Sequence, residues 1–314
     1  MPSQRPTEST AEQTFRSFTP IAASHYAQFR NDYHPTLYNT LLSRHTSTGG
    51  KLDTILDVGC GPGIAVRSLA PRFQHAIGLD PSGGMIAGAT ELGGVSASGG
   101  PIHFAVSSAE ELSGIKDGSV DLLVAATAAH WFDLDRFWKR AAEVVEPGGS
   151  VGLWTHVGWR FGDETPNAEK IREEMERLRK EYGLERYDRP GTRVSSGLYV
   201  DLKMPWDGDS PVEGFDKEVF RVEWGTGSPG ALPGDEFFAV GQPEVDLDTW
   251  EAMLGTTSSV ARWREENAGE VGEEDVVRVQ RRAVERLLWE AGVEKGKERV
   301  KGAERGVLLV LKRV

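Results

Sequence analysis

A single cysteine, Cys60, in 314 residues excludes an intrachain disulfide framework and suits a reducing compartment. No run of 18 or more apolar residues occurs, so no membrane-spanning helix is expected. The first 14 residues are polar and lack the apolar stretch of a secretory leader; they are expected to be a disordered tail, and the protein to be cytosolic. Basic residues are in deficit, 36 against 48 acidic ones, for a formal charge of -12. A general nucleic-acid binder needs a basic face, so the balance argues against that class, and neither a nucleic acid nor a membrane is expected as a partner. A few local arginines remain compatible with a small acidic ligand. The seven histidines are scattered, and no His/Asp/Cys group has metal-ligand spacing, so no metal is expected.

What is present is concentrated at residues 55–63. The apolar run Ile55-Leu56 leads into Asp57-Val58-Gly59-Cys60-Gly61-Pro62-Gly63, a strand that ends in an acid and a glycine-rich turn. Such a turn brings backbone close to a nucleotide-shaped ligand at the carboxyl edge of a parallel sheet, where a Cβ would collide. The spacing is Gly-x-Gly-x-Gly with Ile64 where a dinucleotide fingerprint has its third glycine, which disfavours a nicotinamide oxidoreductase. Seventeen residues after Gly63, Asp80 closes a second strand, His75 to Leu79, where a carboxylate can accept both hydroxyls of a ribose. A third strand, Ile102 to Val106, precedes Ser108-Ala109-Glu110. A fourth, Val120 to Ala125, runs into Thr127-Ala128-Ala129-His130-Trp131-Phe132. A helix from about Asp133, a stop at Pro147-Gly148-Gly149 and a fifth strand, Val151 to Thr155, complete the alternation. Strand–helix alternation over about 100 residues predicts an α/β, doubly wound parallel sheet.

These motifs resemble those of class I S-adenosylmethionine-dependent methyltransferases, in which Asp-Val-Gly-Cys-Gly-Pro-Gly is the first motif. Within that group the chain is most similar to the trans-aconitate methyltransferases. The residues that carry the likeness are Leu79-Asp80-Pro81-Ser82 with Met85, Ala129-His130-Trp131-Phe132-Asp133, Arg189-Pro190-Gly191, the closing Leu311-Lys312-Arg313-Val314, and the early Tyr26, Arg30, Tyr33, Leu37 and Tyr38. The resemblance is specific over about 53–155 and holds elsewhere only in short signatures. It implies a Rossmann-like seven-stranded sheet with an antiparallel last strand, and S-adenosyl-L-methionine as cofactor. It also implies cofactor contacts from Asp57, Gly59, Cys60, Gly61, Gly63, Asp80, Pro81, Ser82, Met85, Ser108, Ala109, Glu110, Thr127 and Trp131. Asp57 and Asp80 can alternatively be turn-capping carboxylates. Cys60 reads as a passive turn residue.

The expected organisation is a tail over 1–14, an N-terminal helical cap over 15–50, a cofactor-binding core over 51–156, and lid helices with the remaining strands of the same catalytic domain over 157–314. Six aromatics between Phe15 and Tyr38 are dense enough for a cap. A helix is expected from Asn167 to Tyr182, loop from Gly183 to Gly214, a strand at Val219 to Trp224, loop at Gly225 to Asp235, helices over Asp248 to Asn267 and Glu274 to Ala291, and a last strand from Val307 to Lys312.

Methyl transfer from a sulfonium needs alignment and a dry pocket more than acid–base chemistry. The expected reaction is O-methylation of a small carboxylate such as trans-aconitate. O- or N-methylation of another metabolite, or cofactor binding without transfer, is the alternative. A carboxylate calls for arginine forks, for which Arg30, Arg189 and Arg193 are candidates, with Tyr26 and Trp154 as further substrate contacts. His130 is either a general base for a phenol, alcohol or amine, or a hydrogen-bonded residue that only orients or fixes its loop. Whether the protein is a monomer or a homodimer stays open.

Overall fold

The structure is a computed structural model that describes residues 32–208, 210–224, 244–267, 272 and 274–314. Five strands pair in parallel in the order 3-2-1-4-5: β1 (Thr54–Val58), β2 (His75–Asp80), β3 (His103–Val106), β4 (Val120–Ala126) and β5 (Val145–Phe161). β8 (Arg299–Lys312) joins antiparallel to β5, as expected of the last strand, and β6 (Phe220–Trp224) pairs antiparallel with β8, so seven strands follow the path 3-2-1-4-5-8-6. A short β7 (Glu244–Asp246) pairs only with Arg299–Lys301 at the outer end of β8.

Every residue of β1 is buried, the mark of a central strand covered on both faces. One face carries α1 (Pro35–Ser47) and α2 (Ile64–Leu69), whose Leu37, Leu41, Val66 and Leu69 pack with Ile55, Leu122, Trp154 and Leu308. The other carries α4 (Leu134–Val144), whose Phe137, Trp138, Ala141 and Val144 pack with Leu56, Leu123 and Leu309. Asp133 caps α4 by accepting from the Arg136 N–H at 3.3 Å. β2 and β4 flank β1 on opposite sides, so the chain reverses direction across the sheet here and opens a crevice at the carboxyl ends of β1 and β4. α3 (Gly83–Leu92) follows β2 and is capped by Ser82, whose Oγ accepts from the Met85 N–H.

β5 and β8 run past the sheet. Phe161, Val245 and Val300 on their outer ends and on β7 enter a separate apolar cluster with Ile171 of α5 (Ala168–Glu181), Leu247 and Trp250 of α7 (Leu247–Gly255), and Leu288 of α9 (Val276–Glu290). A further cluster gathers around Trp263 of α8 (Ser258–Glu266) and the 3-10 turn Leu184–Tyr187.

Several boundaries differ from expectation. Pro147-Gly148-Gly149 does not stop the chain before β5 but lies inside it. A Cβ on Gly149 would sit 2.8 Å from the Asp121 carbonyl oxygen, so glycine permits β5 to pass close to β4. The expected helix over Asp248 to Asn267 is two helices. At the break, the Thr256 and Thr257 hydroxyls donate back to the carbonyls of Met253 and Leu254, at 2.7 and 2.8 Å. The expected loop from Gly183 contains α6 (Pro190–Ser196), with Pro190 preset for the first helical turn. Of the N-terminal cap, the described residues show α1 and the three residues before it; residues 1–31 and the loop expected at Gly225 to Asp235 lie outside the described residues.

Candidate active site

The glycine turn is lashed to β2. Gly59 and Cys60 N–H groups both donate to the Leu79 carbonyl, at 2.8 and 3.0 Å. Asp80 completes the clamp: Oδ2 accepts from the Gly61 N–H at 2.9 Å and Oδ1 from the Ser82 N–H at 2.8 Å. The carboxylate is 7% exposed. Burial raises its pKa, and the two N–H groups pull it back toward the ionised form. A carboxylate has about four lone-pair sites, so each oxygen retains acceptor capacity beyond its backbone bond. Gly59 has φ +68°, and a Cβ there would sit 2.7 Å from that of Ala128; Gly61 has φ +54°, and a Cβ would meet nothing within 4 Å. The first glycine is needed for close packing against the end of β4. The second leaves bare backbone at open space.

A cleft with about 990 Å³ of empty space, part of it open to solvent, lies at this edge. Gly59, Cys60 and Gly61 come to its wall from the turn, and Asp80, Pro81 and Met85 from the end of β2 and the start of α3. Ser108, Ala109 and Glu110 come from beyond β3, and Thr127 and Trp131 from beyond β4. The structure therefore brings eleven of the fourteen expected cofactor contacts to one space. The other three stand behind the wall. Gly63 caps α2 at φ +82° and faces the Phe104 ring, Ser82 is buried as the cap of α3, and Asp57 is fully buried beneath the turn. Tyr33, Pro62, Ile64, Ala65, Ala126, Ala128 and Phe132 also line the cleft and were not among the expected contacts. For Tyr33 the available signal was the aromatic density before α1, but only the fold shows that this ring reaches the cleft.

Asp57 stands apart electrostatically. Neither carboxylate oxygen has a hydrogen-bond partner. Burial pushes its pKa from 3.8 up to about 7, with the Asp80 charge adding to the rise. The Val66 N–H and the Arg67 guanidinium pull the other way, the former without reaching normal hydrogen-bond geometry. A buried, unsatisfied acid beneath a glycine turn fits a cationic group held above it. Cys60 is buried, which raises its thiol pKa and keeps it protonated and passive.

His130 belongs to the 3-10 turn Ala129–Trp131. Its side chain does not form part of the cleft wall: Nδ1 lies 3.0 Å from Tyr199 Oη, and its ring packs against Trp131, with centroids 4.6 Å apart. The turn at Arg189-Pro190-Gly191 seats against it so closely that a Cβ on Gly191 would approach the His130 carbonyl oxygen to 2.3 Å. Arg189 and Arg193 are exposed and outside the wall. Sequence reasoning also missed Arg262 of α8, 6% exposed, whose guanidinium stands 5.7 Å from the Trp131 ring centroid and donates to the Tyr187 carbonyl at 2.8 Å. Trp154 is fully buried, edge-on to Tyr33, and Tyr26 and Arg30 lie outside the described residues. Thr127 has φ +53°, a left-handed conformation that costs a β-branched residue on the order of 1–3 kcal/mol.

Residues 56–153 match a family described as a methyltransferase domain. That stretch, 98 of the 314 residues, is similar to a methyltransferase domain. A Saccharomyces cerevisiae protein named as a probable S-adenosylmethionine-dependent methyltransferase is 30% identical over 141 residues, 45% of this chain and 47% of that protein. A Dictyostelium discoideum protein named as a methyltransferase is 32% identical over 156 residues, 50% of this chain and 54% of that protein. The chain thus spans about half the length of the curated relatives it matches. A solved structure from Anaeromyxobacter dehalogenans, described as a type II methyltransferase, covers 90% of this chain and 97% of its own at a TM-score of 0.58 and 22% identity, a likeness of fold. The matched stretch runs from Leu56 within β1 through the glycine turn, β2, β3 and β4 to Leu153 within β5, while α1, Tyr33 and everything after Leu153 lie outside it.

Proposed function

We propose that this protein is an S-adenosylmethionine-dependent methyltransferase acting on a small molecule. The observation that carries the reading is Asp80, a buried carboxylate at the tip of β2 that clamps Gly61 and lines the same cleft. The residues present fit the cofactor. Asp80 would hold the ribose hydroxyls, Ser108, Ala109 and Glu110 would flank the base, and bare backbone at Gly61 would admit the methionine part. The unsatisfied Asp57 carboxylate would favour its ammonium. When bound, the cofactor supplies an activated methyl group on a cationic sulfur. The chain's own task is then to align the acceptor and exclude water.

A carboxylate acceptor such as trans-aconitate would require a cation over the cleft. The support for it is the Arg189-Pro190-Gly191 turn, which packs on His130 and Trp131 at the rim and starts α6 with Arg189. Turning Arg189 or Arg193 inward would supply the fork. An oxygen or nitrogen acceptor on another metabolite requires no such rearrangement. Among the described residues, the cleft wall contains no lysine, arginine or histidine, which favours this second reading.

The test is a labelled-methyl transfer assay with S-adenosylmethionine and a panel of carboxylic acids, phenols, alcohols and amines, products being identified by mass. Binding of S-adenosylhomocysteine is measured alongside by calorimetry. Transfer that Asp80→Ala abolishes together with binding supports the reading. No affinity for S-adenosylhomocysteine refutes it, and binding without transfer to any class leaves a cofactor-binding protein.

A further inference from the structure

Asp80, Ser108, Ala109, Glu110 and the Gly61 backbone, given to the cofactor above, come from β1 to β3 and the turns after them, whereas Thr127 and Trp131, also expected to touch it, come from beyond β4. Tyr33, from before α1, reaches the same wall beside Thr127. There Tyr33 Oη and Thr127 Oγ1 lie 3.0 Å apart as a hydrogen-bonded pair. Tyr33 is held from several sides. Its N–H donates to Asp32 Oδ1 at 2.7 Å, and its ring meets Trp154 edge to face, with centroids 5.4 Å apart. Asp32 is in turn anchored to α1 and α2 by the hydroxyls of Tyr38 and Ser68. Thr127 keeps its left-handed backbone because its N–H is bonded to the Trp154 carbonyl at 2.8 Å. Strain of this kind persists only where the surroundings over-determine it, and it clusters at ligand clamps.

We infer that the Tyr33–Thr127 hydroxyl pair binds and orients the methyl acceptor, and that this acceptor is a neutral hydroxyl compound, a phenol or an alcohol; the inference rests on the transferase reading above. Two hydroxyls joined by one hydrogen bond carry a second proton and further lone pairs, so the pair can both donate to and accept from an acceptor hydroxyl. A carboxylate in the same place would meet no counter-charge from the described wall, where Asp80 and Glu110 already present acid side chains. The strained backbone of Thr127 and the anchored ring of Tyr33 preorganise the pair, so little rotamer freedom is lost when the acceptor docks.

Catechol, phenol and trans-aconitate serve as probes. Calorimetry measures S-adenosylhomocysteine binding, then catechol binding to the S-adenosylhomocysteine-loaded protein, and the transfer assay gives KM and product. The wild-type protein is expected to form a methyl ether: the acceptor oxygen bonds the methyl carbon as the carbon–sulfur bond breaks, that electron pair stays on S-adenosylhomocysteine, and the hydroxyl proton is released to water. Tyr33→Phe and Thr127→Ala should each weaken catechol binding and raise its KM about five- to tenfold, the loss of one neutral hydrogen bond, and in Tyr33→Phe the S-adenosylhomocysteine affinity should stay within about twofold. Thr127→Ser, which keeps the hydroxyl, should recover the affinity that Thr127→Ala loses. Methyl ester from trans-aconitate with no ether overturns the inference, as does catechol that is neither bound nor methylated by a protein that binds S-adenosylhomocysteine. Unchanged catechol affinity in both hydroxyl-deleted variants also overturns it, and a loss confined to S-adenosylhomocysteine affinity would assign the pair to the cofactor instead. A wild-type protein that does not bind S-adenosylhomocysteine overturns the transferase reading and the inference with it.

Discussion

Replacing Asp57 by Asn should stabilise the ligand-free protein at alkaline pH and remove a proton release that accompanies cofactor binding. Asp57 is fully buried, neither oxygen is hydrogen-bonded, and burial pushes its pKa from 3.8 to about 7. That rise is worth roughly 4 kcal/mol. The folded protein holds this proton more tightly than the unfolded chain does. The contribution is therefore fully present below about pH 4 and is lost as pH climbs to about 7. Asn has the same shape without the charge, so its curve should lack this decline. At pH 8 the variant should gain up to about 4 kcal/mol, reduced by the roughly 1–3 kcal/mol that an unpaired buried amide costs. A cation placed over the turn reverses the balance by favouring the carboxylate. Binding of S-adenosylhomocysteine near pH 6.5 should then release a sizeable fraction of one proton. Urea unfolding of both proteins from pH 4 to 8.5 tests the first part. Calorimetric titration in two buffers of different ionisation enthalpy tests the second. Parallel stability curves for the two proteins, or binding with no proton release, would refute the argument.

Asp80→Ala should weaken S-adenosylhomocysteine binding by about 1–3 kcal/mol, since it removes the ribose acceptor and unpins Gly61; unchanged calorimetric affinity would exclude the ribose role. Gly59→Ala should cost well over the ~1–2 kcal/mol of a left-handed alanine because of its 2.7 Å approach to Ala128, whereas Gly61→Ala should cost only that strain. Equal losses in denaturant midpoint would show that Ala128 yields. His130→Ala should lower thermal stability, through the lost Tyr199 contact, without shifting the pH profile of transfer. Turnover lost at neutral pH and restored at high pH would instead make His130 a base. His45, buried between Ser150 Oγ and the Lys51 carbonyl, has its pKa lowered by burial. Its contribution is therefore present above the unfolded value of 6.5 and lost as pH falls below it. His45→Gln should lessen that acid-side loss in melting curves from pH 7 to 5.

The cofactor half of the cleft was legible in the sequence because its parts are local. A strand, a turn that only glycine can make, and an acid at the next strand tip are each encoded within a few residues. Parallel strand order and right-handed crossovers then leave little freedom in where those tips meet. Asp57 was read as a cofactor contact from its place in the motif. The structure instead buries it beneath the turn, with an electrostatic character that no spacing rule predicts. The boundary errors share one cause. Pro147-Gly148-Gly149 and Thr256-Thr257 act through their neighbours, an approaching strand in one case and the preceding helical carbonyls in the other, so local propensity misjudged both.

The acceptor half was not legible, because it is assembled from distant segments. Tyr33 and Thr127 are 94 residues apart and meet only because α1 packs over β5 and Trp154. Arg189 and Arg193 have the charge a carboxylate needs, but both side chains are exposed, while Arg262, which the sequence did not single out, is buried over Trp131. The chain by itself determined its parallel sheet and the chemistry of the glycine turn, since hydrophobic alternation and backbone sterics act within a few residues. Only the tertiary structure decided which hydroxyls, acids and cations share the cleft, because side-chain contact across the fold depends on packing that no local pattern records.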